Sequence, residues 1–341
     1  MYRTVIFAHF DKNNNIQNYV IHYLEELKKY FSKIIFVSDT NIKQDELKKI
    51  EDIVDIALTG RHGEYDFGSY KKGYLYLLEN NLLENTDELA FINDSCYGPL
   101  FELSNIFKRM NNKINLDFWG LTIGHTPARG KQKKHIQSYF VIFKKNVIMS
   151  DIFKQFINSI KREDSKREIV LKYEIGLTEY LEGNGFCWDV YSEISKILCD
   201  AYLYHYKELI LYEKFPLLKR SIPLKKEANF TNIEEIKEII QKETSYNYKY
   251  IQEDITLNQN KNNIKTKLWL IISYTQRHLA NYYWDYIYIK NLREISPSNL
   301  TIINKIKKHF NLLKFILALT YWFIIRPIIK YIIVLPCRKL C

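Results

Sequence analysis

Residues 89–99 read Leu89-Ala90-Phe91-Ile92-Asn93-Asp94-Ser95-Cys96-Tyr97-Gly98-Pro99. An apolar run stops abruptly at a short polar tip, which is the pattern of a buried strand that ends in a turn. Because ligands bind beyond the carboxyl ends of the strands in an open α/β sheet, Asp94 is expected to face a ligand. A plain turn also explains Asn-Asp-Ser, since these side chains readily bond their own backbone.

The chain before this stretch alternates between strand-like and helix-like segments. Residues 4–10, 34–37 and 54–58 are β-branched or aromatic runs, and the segments that follow the first two carry apolar residues at helical spacing. This alternation predicts an α/β domain with a mostly parallel sheet and right-handed crossovers. The strand ends near His9, Asp39 and Gly60 are therefore expected along one edge of the sheet.

A glycine-rich segment lies between the third and fourth predicted strands. Four of the eleven glycines fall within residues 60–73, and the pattern predicts a loop through Asp66 followed by a helix that begins near Phe67. The positive end of a helix beside the strand ends suits a phosphate or a ribose. The spacing matches neither the P-loop nor GxGxxG, so an ordinary glycine-rich connection is an equal alternative.

The segments after residue 100 supply further candidates. Residues 117–122 are predicted to form a short strand, residues 126–134 a mobile loop, and residues 135–143 a second strand. Residues 173–185 predict a helix that glycine ends, with Glu174 in its first turn. The helix dipole favours a carboxylate there whatever its function, and the position would also hold a general base rigidly.

The composition disfavours several classes of site. Five cysteines show no paired spacing, so neither a zinc site nor a disulfide framework is predicted, and a reduced, cytosolic setting is expected. The first apolar run is too short for the core of a signal peptide. A net charge of +11 would suit nucleic acid, but the distribution of the charge argues against it.

The basic charge is concentrated near the C-terminus, in a pattern that suits a membrane surface. After Glu294 no acidic residue occurs, and eight Lys or Arg residues fall within 305–339 among apolar residues. The apolar run 315–325 gives about 16 Å of helix against a hydrocarbon core of about 30 Å, so a straight membrane span is disfavoured. We expect helices in the membrane interface; helices packed on protein and a re-entrant hairpin are the alternatives.

The change in character near residue 225 predicts two regions. Residues 1–225 are expected to form the α/β domain, and residues 226–341 a basic, helical C-terminal region. In that region, the capping box Thr231-Asn232-Ile233-Glu234 opens a short helix that ends near residue 242. Residues 244–263, rich in Asn, Gln and Tyr, are predicted to be a linker or a poorly packed segment.

Five motifs together resemble the rhamnan synthesis protein F family of bacterial polysaccharide glycosyltransferases. They are Glu64-Tyr65-Asp66-Phe67-Gly68-Ser69-Tyr70-Lys71, Asn93-Asp94-Ser95-Cys96-Tyr97-Gly98-Pro99, Asp117-Phe118-Trp119-Gly120, His135-Ile136-Gln137-Ser138-Tyr139-Phe140 and Tyr173-Glu174-Ile175-Gly176-Leu177-Thr178. Their order and number make the resemblance specific. It covers about residues 1–225, including Phe215-Pro216-Leu217-Leu218-Lys219, and leaves the C-terminal third outside.

The resemblance implies a GT-A-like fold, in which a single Rossmann-like α/β domain binds a nucleotide sugar. It implies that Asp39 faces the nucleoside and that Asp94 holds a divalent cation, Mg²⁺ or Mn²⁺, on the donor diphosphate. Glu174 takes the place of the catalytic base of an inverting enzyme. The usual pair of carboxylates is reduced here to Asn93-Asp94-Ser95, which leaves metal dependence open, although a hard cation also accepts water and diphosphate ligands.

The candidate site residues form three groups. Glu174 is the candidate base for the acceptor hydroxyl, and Arg61, Arg129 or His135 would help to stabilise the leaving diphosphate. The candidate donor-binding residues are His9, Asp39, Arg61, Asp66, Asn93, Asp94 and Ser95. The candidate acceptor or sugar contacts are Asp117, Trp119, His135, Gln137 and Tyr139. Burial in the core is the alternative for Trp119 and Tyr139, and a loop cap is the alternative for Asp66 and Asp117.

The resemblance implies a glycosyltransferase, and the short first apolar run together with the basic C-terminal region leads us to expect it in the cytoplasm, peripheral on the inner face of the cytoplasmic membrane. It would transfer L-rhamnose or another deoxyhexose from a nucleotide-diphosphate donor such as dTDP-L-rhamnose to a lipid-linked oligosaccharide in cell-surface polysaccharide biosynthesis. Its expected partners are this donor, the lipid-linked acceptor and an anionic membrane surface, with no nucleic acid. The alternative is a catalytically degenerate domain that binds glycan or serves as a scaffold subunit, which the reduced carboxylate pair favours.

Overall fold

A computed structural model describes residues 1–128, 131–198, 200–224 and 233–258. Three expectations from the sequence lie outside these residues: the role of Arg129, the first two residues of the predicted capping box, and all helices predicted beyond residue 258.

Short strands alternate with helices along the described chain. The strands are β1 (Arg3–His9), β2 (Lys33–Ser38), β3 (Ile56–Thr59), β4 (Glu88–Asn93), β5 (Cys96–Tyr97), β6 (Phe118–Gly120), β7 (Ile123–Ala128), β8 (Lys131–Ile136), β9 (Phe140–Lys144), β10 (Trp188–Val190) and β11 (Leu218–Lys219). The helices are α1 (Asn18–Lys28), α2 (Gln44–Leu47), α3 (Tyr65–Glu79), α4 (Ser104–Asn111), α5 (Lys145–Ile148), α6 (Asp151–Ser159), α7 (Lys166–Ile169), α8 (Ile175–Gly183), α9 (Glu193–Ile197), α10 (Ala201–Tyr204), α11 (Tyr206–Glu213), α12 (Ser221–Leu224), α13 (Ile233–Glu243) and α14 (Lys249–Asn258). A π-helical turn, Val170–Glu174, joins α7 to α8.

Seven strands of the described chain form one mixed sheet in the order β10-β6-β9-β4-β1-β2-β3. Strand β1 pairs in parallel with β2 and β4, β2 pairs in parallel with β3, and β6 pairs in parallel with β10. Strand β9 runs antiparallel to β4 and β6. The predicted fold class, α/β with a mostly parallel sheet, is confirmed, because four of the six strand pairs in this sheet are parallel.

Helices cover both faces of the sheet, so its central strands are buried on both sides. Strand β1 divides its side chains between two cores: Val5 and Phe7 pack with α1 on one face, and Ile6 and Ala8 pack with α3 on the other. All six residues of β4 are buried. A parallel sheet covered on both faces needs nearly continuous apolar strands, which explains the compact apolar runs in the sequence.

The carboxyl ends of the first four strands lie side by side. In the strand register, His9 of β1 is opposite Ser38 of β2, Ser38 is opposite Thr59 of β3, and Ala8 is opposite Asn93 of β4. The prediction that the strand ends near residues 9, 39 and 60 share one edge is confirmed. This edge, formed by the carboxyl ends of β1, β2, β3 and β4, is named the strand-end edge below.

The described residues of the predicted mobile loop, 126–128 and 131–134, belong to a pair of antiparallel strands, the β7–β8 hairpin. Strands β7 and β8 pair antiparallel, from Ile123 opposite Ile136 to Ala128 opposite Lys131. The sequence conceals this hairpin because its outer part is basic and contains Pro127. The backbone hydrogen bonds of a two-stranded ribbon require no apolar face, so hydrophobic periodicity does not report them.

The helix that carries Glu174 begins earlier than predicted. Ser165 caps it by accepting a hydrogen bond from the N–H of Glu168, and the chain stays helical from Lys166 through the π-helical turn to Gly183. Glu174 therefore lies well inside the helix, and its expected place in a first turn, beside the positive end of the dipole, is wrong. The charged residues before residue 169 resemble a loop in the sequence, but they form the first turn of this helix, which is why its start was predicted too late.

The described part of the C-terminal region packs against the α/β domain. Ile236 and Ile240 of α13 and Ile251 of α14 join the core on the α1 side of the sheet. The expectation of a linker at residues 244–263 is wrong for its described part, because α14 spans residues 249–258 and buries Ile251 and Ile255. The polar exposed face of α14 obscures that stripe in the sequence. The boundary near residue 225 stays a prediction.

Within the residues that the structure describes, no helix has the length and apolar character needed to span a membrane.

The packing of α3 on β1 yields a stability prediction. A Cβ atom at Gly73 would lie 2.5 Å from Ile6 Cγ2, inside van der Waals contact. We expect Gly73→Ala to lower the free energy of unfolding by about 1–3 kcal/mol, because the helix must move away from the sheet. Urea unfolding followed by circular dichroism measures this change. Gly183→Ala is the matched control, since a Cβ atom at Gly183 would meet no atom within 4 Å; equal stability of the two variants would contradict the prediction.

Candidate functional site

Hydrogen bonds hold the tip that follows β4. Asn93 Oδ1 accepts hydrogen bonds from the Ser95 N–H at 3.1 Å and from the Ser95 hydroxyl. Asp94 Oδ2 accepts from the N–H of Phe10 at 3.0 Å, and the Asp94 carbonyl accepts from the Tyr19 hydroxyl at 3.2 Å. The tip is thus a side-chain-stabilised turn that is also fixed against β1 and α1, so the turn interpretation and the ligand interpretation are compatible.

Asp66, in the first turn of α3, approaches the tip from a separate element. Its Oδ2 accepts a hydrogen bond from Asn93 Nδ2 at 2.9 Å. Burial and the charge of Asp94 raise the pKa of Asp66 to about 7. Burial also raises the pKa of Asp94 to about 6, against the opposing charge of Arg220. Two partly destabilised carboxylates in one place are typical of a ligand site.

His9 lies next to this pair at the end of β1. Its Nδ1 shares a hydrogen bond with the Ser38 hydroxyl at 2.9 Å, and its Nε2 lies 4.0 Å from Asp94 Oδ2. Burial lowers the pKa of His9 to about 4, so the imidazole is neutral near pH 7. His9 therefore brings a hydrogen-bonding group to the site and no positive charge.

Asp39 organises the loop that follows β3. Its Oδ1 accepts hydrogen bonds from the N–H groups of His62 and Gly63 at 2.6 and 2.8 Å, and its Oδ2 binds Arg61 Nη1 at 2.8 Å. The Arg61 guanidinium lies 5.1 Å from the centre of the Phe10 ring, which is 44% exposed. Exposed aromatic rings and guanidinium planes are surfaces on which a nucleobase stacks. Sequence reasoning missed Phe10 because it ends a strand-like run.

Glu174 contacts the chain that links β8 to β9. Its Oε1 accepts hydrogen bonds from the Ser138 N–H at 3.1 Å and from the Ser138 hydroxyl at 3.0 Å. Its charge also contributes to the raised pKa of Asp66, which places both carboxylates in one electrostatic neighbourhood. π-Helical turns occur frequently at functional sites, and this one sets the position of the Glu174 side chain.

The predicted acceptor contacts divide between the site and the protein interior. The Tyr139 ring is buried, and Lys219 Nζ lies 4.7 Å from its centre. His135 and Gln137 are buried at the base of the β7–β8 hairpin, where their Nε2 atoms lie 3.1 Å apart. Trp119 is fully buried in the core beside α4, as the core alternative describes.

Asp117 is not brought to the strand-end edge. It precedes β6. Strands β4 and β6 both run antiparallel to β9, so they point in the same direction, and the start of β6 lies at the edge opposite the carboxyl end of β4. The Asp117 carboxylate accepts hydrogen bonds from Asn146 Nδ2 at 2.7 Å and from the Cys187 N–H at 2.8 Å. These bonds tie together segments next to β9 and β10, which is the loop-cap role.

Two cations that sequence reasoning missed lie beside the tip. Strand β11 pairs antiparallel with β5 and places Lys219 opposite Cys96. Lys219 Nζ donates a hydrogen bond to Ser95 Oγ at 2.9 Å across 124 positions of sequence. The charge of Arg220 opposes the effect of burial on Asp94 and so limits the rise in the pKa of that carboxyl. The available signal was the motif at residues 215–219, which carries part of the family resemblance.

Among curated proteins, the chain is similar to virulence protein VirA of Vibrio anguillarum (strain ATCC 68554 / 775). The identity is 32% over 150 residues, which are 43% of this chain and 45% of VirA. It is also similar to uncharacterized protein y4gN of Sinorhizobium fredii (strain NBRC 101917 / NGR234), with 23% identity over 163 residues, 48% of this chain and 42% of that protein. The matches span less than half the length of these curated relatives.

Among solved structures, the chain is similar to core-mannan synthase A from Aspergillus fumigatus in its Mn/GDP form. The TM-score is 0.33 and the identity 9%, with 55% of this chain and 72% of that chain covered. A TM-score this low does not indicate a shared function.

The family of rhamnan synthesis protein F matches residues 34–310. This match passes residue 225, so the expectation that the resemblance leaves the C-terminal third outside is wrong. The packing of α13 and α14 on the α/β core agrees with a family region that continues beyond that residue. The resemblance inferred from the five motifs is confirmed, and the chain belongs to the rhamnan synthesis protein F family.

Proposed function

We propose that this protein is a glycosyltransferase that takes its sugar from a nucleoside-diphosphate donor. Family membership and the acidic strand-end edge of the α/β domain support this function. One observation carries it: Asp66, Asp94 and Glu174 come from three separate elements, and the charges of Asp94 and Glu174 both raise the pKa of Asp66. Glycosyl transfer needs acceptors for the donor hydroxyls and a base for the attacking hydroxyl, and these carboxylates provide both.

The proposed roles follow from the contacts of each group. Glu174 takes the proton of the acceptor hydroxyl as that oxygen attacks the anomeric carbon, in an inverting displacement. Asp66 and Asp94 accept hydrogen bonds from hydroxyl groups of the donor, with Asn93, Ser95 and neutral His9 beside them. Arg61, which Asp39 holds beside the exposed Phe10 ring, provides a stacking surface for the nucleobase.

We also propose a specific donor sugar and a specific class of acceptor. The description of the family as rhamnan synthesis supports L-rhamnose or another deoxyhexose as the sugar, with dTDP-L-rhamnose as the donor. The acceptor is a lipid-linked oligosaccharide on the way to a cell-surface polysaccharide such as lipopolysaccharide. The C-terminal sequence, basic and apolar without acidic residues after Glu294, supports a peripheral position on the inner face of the cytoplasmic membrane.

A divalent cation on Asp94, Mg²⁺ or Mn²⁺, does not fit the residues around that side chain. Asn93 Oδ1 already accepts from Ser95, and Ser95 Oγ accepts from the Lys219 ammonium, whose charge would repel a second cation. In the described part of the chain, no three His, Cys, Asp or Glu side chains form a group suited to a metal ion. The steps proposed here therefore use only residues of the chain.

The proposed base is tested by Glu174→Gln. The amide keeps an oxygen that accepts from Ser138 but does not take a proton, so we expect the rate of sugar transfer to fall by about 100- to 10,000-fold. Nucleoside diphosphate release from dTDP-L-rhamnose and other nucleotide sugars, with a lipid-linked acceptor, measures the rate. Binding of the free nucleoside diphosphate is expected to stay unchanged.

The control for this variant is Glu182→Gln, an exposed residue on the same helix. Near-normal transfer by Glu174→Gln would refute the role as base. If calorimetry shows that the wild-type protein binds none of UDP, GDP, CDP and dTDP, with or without Mn²⁺, the scaffold alternative replaces the enzyme.

The burial of Asp66, close to Asp94, predicts a cost in stability that depends on pH. The pKa of Asp66 is about 7 in the folded protein and 3.8 ordinarily, so the folded state keeps a proton that the unfolded chain releases. The contribution of this group to stability is therefore lost as the pH rises through about 4 to 7. We expect Asp66→Asn to raise the free energy of unfolding at pH 8 by about 1–2 kcal/mol, discounted for partial exposure.

Chemical denaturation at several pH values checks this expectation. The gain from Asp66→Asn should shrink towards zero at pH 4, where wild-type Asp66 is protonated in the folded state. Asp45→Asn, at a side chain that is 92% exposed, is the control and should show no such trend. A variant less stable than the wild type at pH 8 would show that Asp66 stabilises the fold as a carboxylate.

Membrane association is tested by removing residues 298–341, which contain the eight C-terminal Lys and Arg residues. The full chain should sediment with vesicles that contain anionic lipid and should be released as salt is raised, because each basic residue near such a surface contributes about 1 kcal/mol. The shortened chain should stay in the supernatant, as should both proteins with phosphatidylcholine vesicles. If the full chain does not sediment with anionic vesicles, the alternative in which the C-terminal helices pack on protein is favoured.

A further inference from the structure

The strand β11 delivers two adjacent cations to the acidic tip. Its two residues pair antiparallel with β5, which follows the tip directly, and the Arg220 N–H donates a hydrogen bond to the Ser95 carbonyl at 2.9 Å. A Cβ atom at Gly98 would lie 2.5 Å from the Pro216 carbonyl oxygen, so glycine permits this close approach. The position of Lys219 and Arg220 is therefore fixed by backbone pairing rather than by flexible side chains alone.

The Lys219 ammonium is enclosed by the tip and by two aromatic rings. Its Nζ donates to Ser95 Oγ at 2.9 Å and lies 4.7 Å from the centre of the Tyr139 ring and 5.9 Å from that of Tyr202. Its charge also lowers the pKa of Asp66, against the effect of burial. Among the described residues, Lys219 forms no ion pair with a carboxylate, so its charge is available to a ligand.

Arg220 has a different environment, which holds it in place. Its Nε and Nη2 bind the two carboxylate oxygens of Asp254 at 2.5 and 2.7 Å, and the Tyr97 hydroxyl donates to Asp254 Oδ2 at 2.6 Å. Asp254 belongs to α14, so this helix fixes the guanidinium next to the tip. Arg220 already has a counter-ion, and it therefore acts on Asp94 as a fixed background charge.

We infer that Lys219 binds the diphosphate of the donor and supplies the positive charge that a divalent cation would otherwise provide, while Arg220, held by Asp254, adds a fixed positive charge near Asp94. This inference rests on the proposed glycosyltransferase function. An ammonium is a compact point charge that binds phosphate oxygens well. A half-buried ammonium that forms no ion pair within the described residues, close to Asp66 and Asp94, matches the chemistry of a nucleoside diphosphate.

The charge also matters during transfer. When the bond between the anomeric carbon and the phosphate oxygen breaks, its electron pair stays on that oxygen, and the diphosphate gains one negative charge. The acceptor oxygen forms the new bond to the anomeric carbon, and its proton moves to Glu174. A fixed ammonium at the diphosphate stabilises the charge that develops on the leaving group.

Calorimetric binding of UDP, GDP, CDP and dTDP to the full chain tests the inference. The wild-type protein should bind at least one of them with the same affinity in EDTA and in Mn²⁺. Lys219→Met should weaken this binding at least tenfold, and Lys219→Arg should restore most of it, because the charge returns. Raising the salt concentration should weaken wild-type binding more steeply than binding to Lys219→Met, which a merely structural role would not produce.

Lys249→Met is the charge-matched control, because the Lys249 side chain is 72% exposed on α14, and it should bind as the wild type does. Thermal unfolding establishes that Lys219→Met is folded. Wild-type binding that EDTA abolishes and Mn²⁺ restores, or unchanged binding by Lys219→Met, would overturn the inference and leave the proposed function standing. Absence of wild-type binding to all four nucleotides in both conditions would overturn the function itself.

Discussion

The burial of two neighbouring carboxylates, Asp66 and Asp94, is the constraint on which the rest of the site depends. Asp66 in the first turn of α3 and Asp94 after β4 are both largely withdrawn from water, and this burial is the main cause of their raised pKa values. A protein selected for stability alone would place an amide or an apolar side chain there. Asn93 Nδ2 donates to Asp66, and Asn93 directly precedes Asp94, so the tip keeps the two carboxylates near each other without removing their charges.

The same constraint explains why a distant part of the chain closes over the tip. Strand β11 brings Lys219 and Arg220 to the acidic pair, and α14 secures Arg220 through Asp254. Helix α14 is thus joined to the tip by charge as well as by packing. A segment that the sequence presents as a linker is, in the folded protein, a support for the electrostatics of the strand-end edge.

The sequence by itself was sufficient for the sheet and for the edge at which the site lies. Buried parallel strands must be apolar throughout, and each ends where polar residues begin. Residues 4–10 and 89–99 therefore predict both a strand and the position of its end. Asp94 and His9 were found in this way, and Asp66 from the glycine-rich segment at residues 60–73. The motifs also led to Glu174, although the argument from a helix start was wrong because that helix begins at Lys166.

Only the tertiary structure decided which of these residues meet and what neutralises them. Asp117 follows the same sequence rule as Asp94 in carrying a carboxylate beside a strand, yet it lies at the opposite edge, because the order of strands sets which end faces the site. Lys219 has no distinguishing pattern of its own. Its role depends on a two-residue pairing with β5 across more than a hundred residues, and contacts of that separation leave no periodic trace in the sequence.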